Sequence, residues 1–530
     1  MVMTRRAFHA AALAAGPLAA AGFDAGARAA AVRGGTLRWA YFPEPSAIIA
    51  INTSSGTGQA IGSKINEGLL TYDHQLNPQP ALATAWTVSP DGLVYRFQLR
   101  RGVKWHDGRD FTAADVAFSI ERLGEAHPRG RATFAHVARI ATPDPHTVEI
   151  VLARPVPYLI TALSGSESPI VPKHVYETFR AADQPKLAQT IGTGPFILKE
   201  WVPGSHLLFE RNPNYWDPPK PYLDRIILRP ILDPAARGAG LETGEIDIAA
   251  NPVALADLDR LKANPRLLVD TTTYAYSGPQ QQLFFNFNNP VFGDRRVRLA
   301  IAHALDLKAL VDTVYFGYGE VSPSPISVAL PKFHNPAIRA RRYDPALAER
   351  LLDEAGLRRG PNGTRFKLRL THNPFLFANF GDFVRQAIRR IGIDVELQRY
   401  DLATYLTTVY RDRAFDLVVE SLSNTFDPTP GVQRTYWSKN IQIGIPFSNA
   451  AHYTNPEVDR LLEAAGAEPD EAKRRDLFFR FQEIIHEEVA SVDLVANAGI
   501  IVASRRVKNY APTAEGLNNS FADLYLDPQA

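Results

Sequence analysis

Residues Leu82 to Arg122 read LATAWTVSPDGLVYRFQLRRGVKWHDGRDFTAADVAFSIER, and the fold is most legible there. An Asp91-Gly92 turn leads into Val94 to Leu99, whose apolar residues partly alternate with polar ones, as in a half-buried strand. A second turn, His106-Asp107-Gly108, follows. Thr112 then stands three residues before Asp115 at the head of an apolar-periodic run, the spacing of an N-cap and its reciprocal carboxylate. Strand, turn and capped helix form one structural unit with nothing in it that looks like an active site. Trp86 and Trp105 read as core, and His106 as a hydrogen-bonding residue of the turn.

Outward from this segment, 36–41 reads as a strand and 58–70 as a helix. Strands are predicted at 146–152, 196–201, 207–210 and 225–230, with Pro155, Pro157, Pro169 and Pro172 marking loops between them. The pattern changes near Ser277. Beyond it helix and strand alternate: a helix from Asp344-Pro345 to Gly356, a strand at 366–370, a helix over 381–391, a strand at 393–399, a helix over 402–410 and a strand at 415–420. Such alternation predicts helices covering a parallel or mixed sheet. Further helices are expected between Asn455-Pro456 and Gly466 and over 471–488.

The wording of Leu82 to Arg122 closely resembles the signature segment of the family 5 extracellular solute-binding proteins, the peptide- and nickel-type receptors of ABC importers. Gly192-Thr193-Gly194-Pro195-Phe196, Arg211-Asn212-Pro213-Asn214-Tyr215-Trp216, Phe284 to Ile301 and Tyr343 to Gly356 resemble further motifs of that family, so the likeness covers the chain from Gly34 onward. It implies an α/β fold of two lobes, the periplasmic-binding-protein architecture of class II and cluster C type, with an extra subdomain on lobe I. By that analogy lobe I takes 34–55, 192–277 and 500–530, the subdomain 56–191, and lobe II 278–499. Two or more chain crossings would act as a hinge around a ligand. The function implied is capture of a small organic solute, a short or modified peptide first, and its delivery to ABC permease subunits. An opine- or sugar-like conjugate, a metal chelate, or a sensing role without transport are the alternatives.

The amino terminus agrees with an exported protein. Thr4-Arg5-Arg6-Ala7-Phe8 precedes an Ala- and Leu-rich run over 10–21 that is too short to remain in a bilayer, and Ala27-x-Ala29 fits a cleavage site. The paired arginines and Phe8 resemble a twin-arginine signal, with an ordinary secretory signal as runner-up. Segment 1–31 is thus assigned to export and the mature chain to the periplasm. Cysteine is absent, which excludes disulfides, thiolate metal sites and a lipid-modified Cys anchor. A chain of 530 residues is too long for one core. The formal charge of +2 resides in Arg5, Arg6 and Arg28 against Asp24, leaving a neutral remainder with no footprint for nucleic acid. A monomer is expected.

No motif supplies an enzyme. The thirteen His residues form no H-x-H, H-x-x-x-H or H-E-x-x-H pair; no phosphate loop with G-K-[ST] occurs, nor a G-x-S-x-G elbow. No cofactor is therefore expected. Ligand contacts have to be placed by position. Tyr41 and Glu44 follow the first strand at its carboxyl end, where open sheets bind ligands. Asn286 and Asn288 lie at the expected entry to lobe II, with Phe285 reading as core. His372 and Phe375 follow the 366–370 strand, where no Arg stands to clamp a carboxylate. Ser421 to Pro430, SLSNTFDPTP, offers Asn424, Phe426 and Asp427. In peptide-binding members the matching loop resembles W-x-x-D-x-x-DP, whose first Asp pairs with the peptide's amino group. Here Asn424 replaces that Asp and Leu422 the Trp. An amide cannot balance a buried ammonium, which puts a free peptide amino terminus in doubt and suits a hydroxyl-rich or capped ligand. Equally, Asn424 could simply cap the Asp427 turn.

Overall fold

The computed structural model describes residues 31–45, 48–49, 51–180, 187–250, 254–272, 274, 276, 279–497 and 499–529; the expected export signal lies outside them. Strand β1 (Thr36–Tyr41) leads to helix α1 (Gly56–Ile65), whose Ser55 cap accepts from the Gly58 amide at 3.1 Å. The helix is shorter than its periodicity suggests. Asn66 turns extended, and Leu70–Tyr72 pairs as a strand with Pro78–Pro80. Strands β2 (Ala83–Val88) and β3 (Val94–Leu99), helix α2 (Ala113–Ala126), and strands β4 (Val137–Asp144) and β5 (Thr147–Leu152) follow. At the head of α2 the Thr112 amide donates to Asp115 Oδ2 at 2.9 Å, the reach-back half of the capping box.

Next come β6 (Phe196–Val202), β7 (His206–Arg211), β8 (Arg225–Pro230), β9 (Ile248–Ala250), α3 (Leu258–Ala263) and β10 (Leu267–Asp270). The later part holds β11 (Pro279–Phe285), β12 (Gly319–Val321), α4 (Pro345–Glu354), β13 (Phe366–His372), α5 (Ala378–Arg390), β14 (Ile393–Arg399) and α6 (Leu402–Leu406). It continues with β15 (Leu417–Ser423), α7 (Pro428–Tyr436), α8 (Pro456–Ala465), α9 (Glu471–Glu488), β16 (Ser491–Asn497) and β17 (Ile501–Ser504). Two further boundaries differ from expectation. After α6 the chain widens into a π-turn over Thr407–Arg411 instead of continuing as α-helix, and β15 starts later and runs on to Ser423.

Three larger sheets result, beside two two-stranded ones among the described residues. A seven-stranded mixed sheet has the order β10-β17-β9-β1-β8-β7-β6, with β1 parallel to both β8 and β9. A six-stranded mixed sheet has the order β12-β16-β11-β15-β13-β14, and an antiparallel four-stranded sheet the order β2-β3-β5-β4. The chain passes from the first sheet to the second between Asp270 and Pro279, and returns between Asn497 and Ile501. One apolar cluster runs across that junction, from Ala249, Leu258 and Val502 to Leu283 and Leu494.

The family-like motifs prove to be packing devices around one buried acid. Glu67 accepts from Thr193 Oγ1 (2.9 Å), Tyr215 OH (2.8 Å) and Trp216 Nε1 (2.9 Å). Gly192 and Gly194 press on the end of α1. A Cβ on Gly192 would fall 1.8 Å from the Ile65 carbonyl, and the Gly194 amide donates to that same oxygen at 2.8 Å. His106 accepts from the Gly192 amide through Nδ1 (3.2 Å) and donates from Nε2 to the Gly194 carbonyl (3.0 Å). Burial lowers its imidazole to about 4, which keeps the neutral tautomer that this clamp requires.

Candidate functional site

Two cavities lie in the cleft between the sheets. The inner one, about 350 Å³, is lined by Tyr41 at the end of β1 and by Gln59 of α1. Arg129, Glu167, Tyr276 and Glu515 complete that wall, and Ser423 and Thr425 at the end of β15 close it from the other side. The outer one, about 630 Å³, is bounded by Leu76 and Ile160 on the four-stranded-sheet side, and by Leu330, Lys332, Phe333, Phe426 and Asp427 opposite. The Tyr276 and Phe426 rings, 5.4 Å apart, partition the two. Both volumes fall in the range of small-molecule sites.

The inner wall is charged and ordered. Arg129 grips Glu167 with two donors, Nε at 2.7 Å and Nη2, and the Gln59 amide adds a bond at 3.0 Å. Burial pushes the Glu167 carboxyl up, but Arg129 outweighs it and holds the group below its ordinary value. Glu515 accepts from Ser166 (2.9 Å) and Thr71 (3.1 Å), and burial raises its carboxyl. Behind it, Lys64 is fully buried in a cage formed by the Leu517 and Asn519 carbonyls and the Phe521 face. Burial lowers its ammonium far below the usual range, while the charges of Lys64 and Glu515 support each other.

On the opposite wall α7 is capped by Asp427, which accepts from Thr429 N at 2.8 Å, and carries in its last turn Arg434, whose Nη2 donates to the Ser423 carbonyl at 3.1 Å. Glu420, beneath it, is saturated by the Tyr405 and Tyr410 hydroxyls and the Asn373 amide. The two halves are also tied at the junction and beside the outer cavity. Tyr318 OH donates to Asp259 on α3 at 2.8 Å, and Lys332 donates to Asn77 at 3.4 Å.

The residues singled out from the sequence divide into two groups. Tyr41 lines the inner cavity; Phe426 and Asp427 line the outer one. Asn424 lies between them but is buried and engaged. Its Oδ1 accepts from Ser327 N (2.8 Å) and its Nδ2 donates to Pro325 O (3.2 Å), so it fastens the 325–327 loop instead of capping the Asp427 turn. Asp427 is already neutralised by Arg474. The other five line neither cavity. Glu44 accepts from Trp201 Nε1 (3.2 Å) and the Gly204 amide (2.9 Å) in the β6–β7 hairpin. Asn286 and Asn288 sit at the end of β11 away from Pro279, Asn286 donating to Phe415 O at 2.8 Å and accepting from Asn288 N at 3.1 Å. His372 is turned into the fold toward the Phe377 carbonyl (3.1 Å), and Phe375 stands 66% exposed.

Sequence reasoning missed Arg129, Glu167, Tyr276 and Glu515. They come from loops whose convergence no local periodicity encodes. Arg434 was missed because it sits at the far end of α7 and folds back to the loop that precedes it.

A two-lobed cleft of this kind, walled by separate sheets and joined by two short crossings, defines a ligand-capturing receptor. The model of the bacterial extracellular solute-binding proteins, family 5, matches residues 77–443, and the chain belongs to that family. Its members are the periplasmic substrate-binding components of ABC importers, receptors as a class and not enzymes. Among its relatives, a putative ABC transporter peptide-binding protein of Brucella ovis is 31% identical over 467 residues, 84% of each chain. The glutathione-binding protein GsiB of Escherichia coli K12 is 27% identical over 461 residues, 85% of this chain and 87% of that one. The Helicobacter pylori binding protein DppA, solved with the peptide STSA, superposes with a TM-score of 0.78 at 26% identity, covering 94% of this chain and 99% of the other.

Proposed function

We propose that this chain captures a short or modified peptide in the paired cavities and hands it to membrane permeases as a periplasmic monomer. The division proposed is lobe I over 34–55, 192–277 and 500–530, its subdomain over 56–191, and lobe II over 278–499, with closure about the two crossings. Segment 1–31 would direct export, by the twin-arginine route. The observation that carries the ligand class is the pair of neighbouring cavities, about 350 and 630 Å³, each walled from both sides of the cleft. A ligand that touches both walls stabilises the closed state selectively. The Brucella relative, described as peptide-binding, and DppA with its bound peptide support the class.

A second reading has its own observation. No carboxylate of the 424–427 loop is free to receive an α-ammonium, because Asn424 is neutral and tied and Asp427 belongs to Arg474. This favours an amino-blocked peptide, or a conjugate such as the agropinic acid held by the related AgaA of an Agrobacterium, 25% identical with a TM-score of 0.76. Native mass spectrometry of protein purified from its own periplasm, with the ligand identified after denaturation, separates the two. Recovery of a compound with neither peptide bond nor amino-acid unit defeats both.

A further inference from the structure

A third cavity, about 230 Å³, adjoins the inner one but is walled only by residues before 278 and after 499. Asn66 and Glu67 at the end of α1 form one wall, the turn from Tyr215 to Lys220 a second, and the tail from Pro512 to Asp523 a third. Its lining is acidic. Glu67, Asp217, Glu515 and Asp523 face a single lining cation, Lys220, whose Nζ takes one oxygen from Asp217 (3.1 Å) and one from Asp523 (2.8 Å). Two more cations stand behind the walls: Lys64 on the Leu517 and Asn519 carbonyls, and Arg100 over the Trp216 ring at 4.0 Å. Four carboxylates against three cations leave one negative charge. Glu67 is saturated by its three donors, but Asn66 is not. Asn66 is fully buried, its Nδ2 is spent on the Ile170 and Ile191 carbonyls (3.0 and 3.4 Å), which lie outside the cavity lining, and its Oδ1 has no donor. An enclosed acceptor left without a donor is costly, and a ligand N–H would satisfy it. Glu515 divides its oxygens between the chambers. Its Oε2 accepts from Thr71, which lines this cavity (3.1 Å), and its Oε1 from Ser166, which lines the inner one (2.9 Å).

We propose that this cavity is a second binding site, outside the cleft, for a small primary ammonium. Such a group carries three donors and one positive charge, which match Asn66 Oδ1, the acidic lining and the residual negative charge. A space below the usual range of ligand pockets limits the attached chain to a few atoms. Capture of a solute in the cleft neither requires this site nor supplies it, because no residue of 278–499 takes part. Since Glu515 gives one oxygen to each chamber, an ammonium held here anchors a carboxylate that also faces the cleft.

The test uses the mature protein as wild type, Asp523→Asn and Glu515→Gln, at constant ionic strength and above the value of about 7 to which burial raises Glu67. Probes are n-butylammonium, neutral 1-butanol, and tetramethylammonium, which has the charge but no donor. Calorimetry is expected to show n-butylammonium binding wild type at least about tenfold more tightly than either control, the weight of a hydrogen bond to a charged group. Asp523 lines this cavity and not the inner one, and its side chain is 42% exposed, so Asp523→Asn leaves the fold intact. It is expected to weaken n-butylammonium about three- to fivefold, and Glu515→Gln about tenfold. A control that binds as well as n-butylammonium, no n-butylammonium binding, or an affinity unchanged in Asp523→Asn overturns the site. A loss confined to Glu515→Gln puts the ammonium in the inner cavity and overturns it as well. Loss in Asp523→Asn upholds the site whatever Glu515→Gln does, so the outcome is decided even if the buried Glu515 variant does not fold.

Discussion

The most enclosed ion pair on the cleft wall offers a quantitative test. Asp427 and Arg474 have side chains only 3% and 5% exposed, joined by two bonds of 2.7 and 2.5 Å. Breaking a buried pair by removing one partner strands the other charge and costs about 3–5 kcal/mol. Asp427→Asn keeps the oxygen that caps Thr429, so the roughly 1 kcal/mol of the cap is retained and the loss comes from the stranded guanidinium. Arg474→Met removes in addition the donors to Ala465 O (2.8 Å) and Thr429 Oγ1 (2.5 Å), and its loss falls at the upper end of that range. The double variant leaves no unpaired charge. It should recover enough that the coupling between the sites is at least about 2 kcal/mol. Urea titration followed by tryptophan fluorescence reports this region, because Trp437 directly follows α7 and donates to Glu463 at 2.9 Å. Single losses below about 1 kcal/mol, or a double variant equal to the sum of the singles, would refute the view that this pair is a sealed structural bridge.

Three further outcomes are expected. Gly192→Ala drives a methyl group into the Ile65 carbonyl and should abolish soluble protein or lower the melting temperature by more than 10 °C, on the order of several kcal/mol in the local fold; calorimetry reading an unchanged transition would contradict the packing. Asp493 is buried with Gln282 and Ser491 as partners, and burial raises its carboxyl to about 7. The native state therefore holds this proton more tightly than the unfolded chain does. Its contribution is present below the ordinary carboxyl range and is lost as pH rises through 7. Asp493→Asn should flatten melting temperature against pH between 4 and 8, and an unchanged slope would show that the carboxyl is not the source. Tyr318→Phe removes the rim bond to Asp259, worth about 0.5–1.5 kcal/mol, so ligand affinity should fall roughly two- to tenfold through a faster off-rate, with the fold intact by circular dichroism.

Much of the architecture was readable because local chemistry carried it. Asp344-Pro345 and Asn455-Pro456 each start a helix with a capping oxygen and a first-turn proline, as their spacing announces, whereas the helix that Asp427-Pro428 opens in the same way reads in the sequence only as a loop. The Asp91-Gly92 and His106 to Gly108 turns and the Thr112 to Asp115 cap likewise act within a few residues. The cleft chemistry was less legible. Asn424 and Asp427 sit at the expected place on the chain, yet their partners, Ser327 and Arg474, lie 97 and 47 residues away. Glu44 and His372 follow strands at their carboxyl ends, as binding residues do, but a hairpin and a neighbouring helix claim their polar atoms first. Arg129 and Glu167 are 38 residues apart, and their pairing depends on loops meeting at the cleft. Long-range closure of loops sets these contacts, and one sequence alone does not record it.

The return crossing bears on how the protein is made. Strand β16 lies between β12 and β11 in one sheet, and β17 between β10 and β9 in the other, although only three residues separate them in the chain. The six-stranded sheet lacks a strand until residue 497 has cleared the ribosome and the seven-stranded sheet until residue 504, so the nascent polypeptide carries two open seams late into its synthesis. Both are sealed by the same late stretch of about fourteen residues. Truncation just before Ser491 would consequently leave a chain with two unfinished halves, never one finished half.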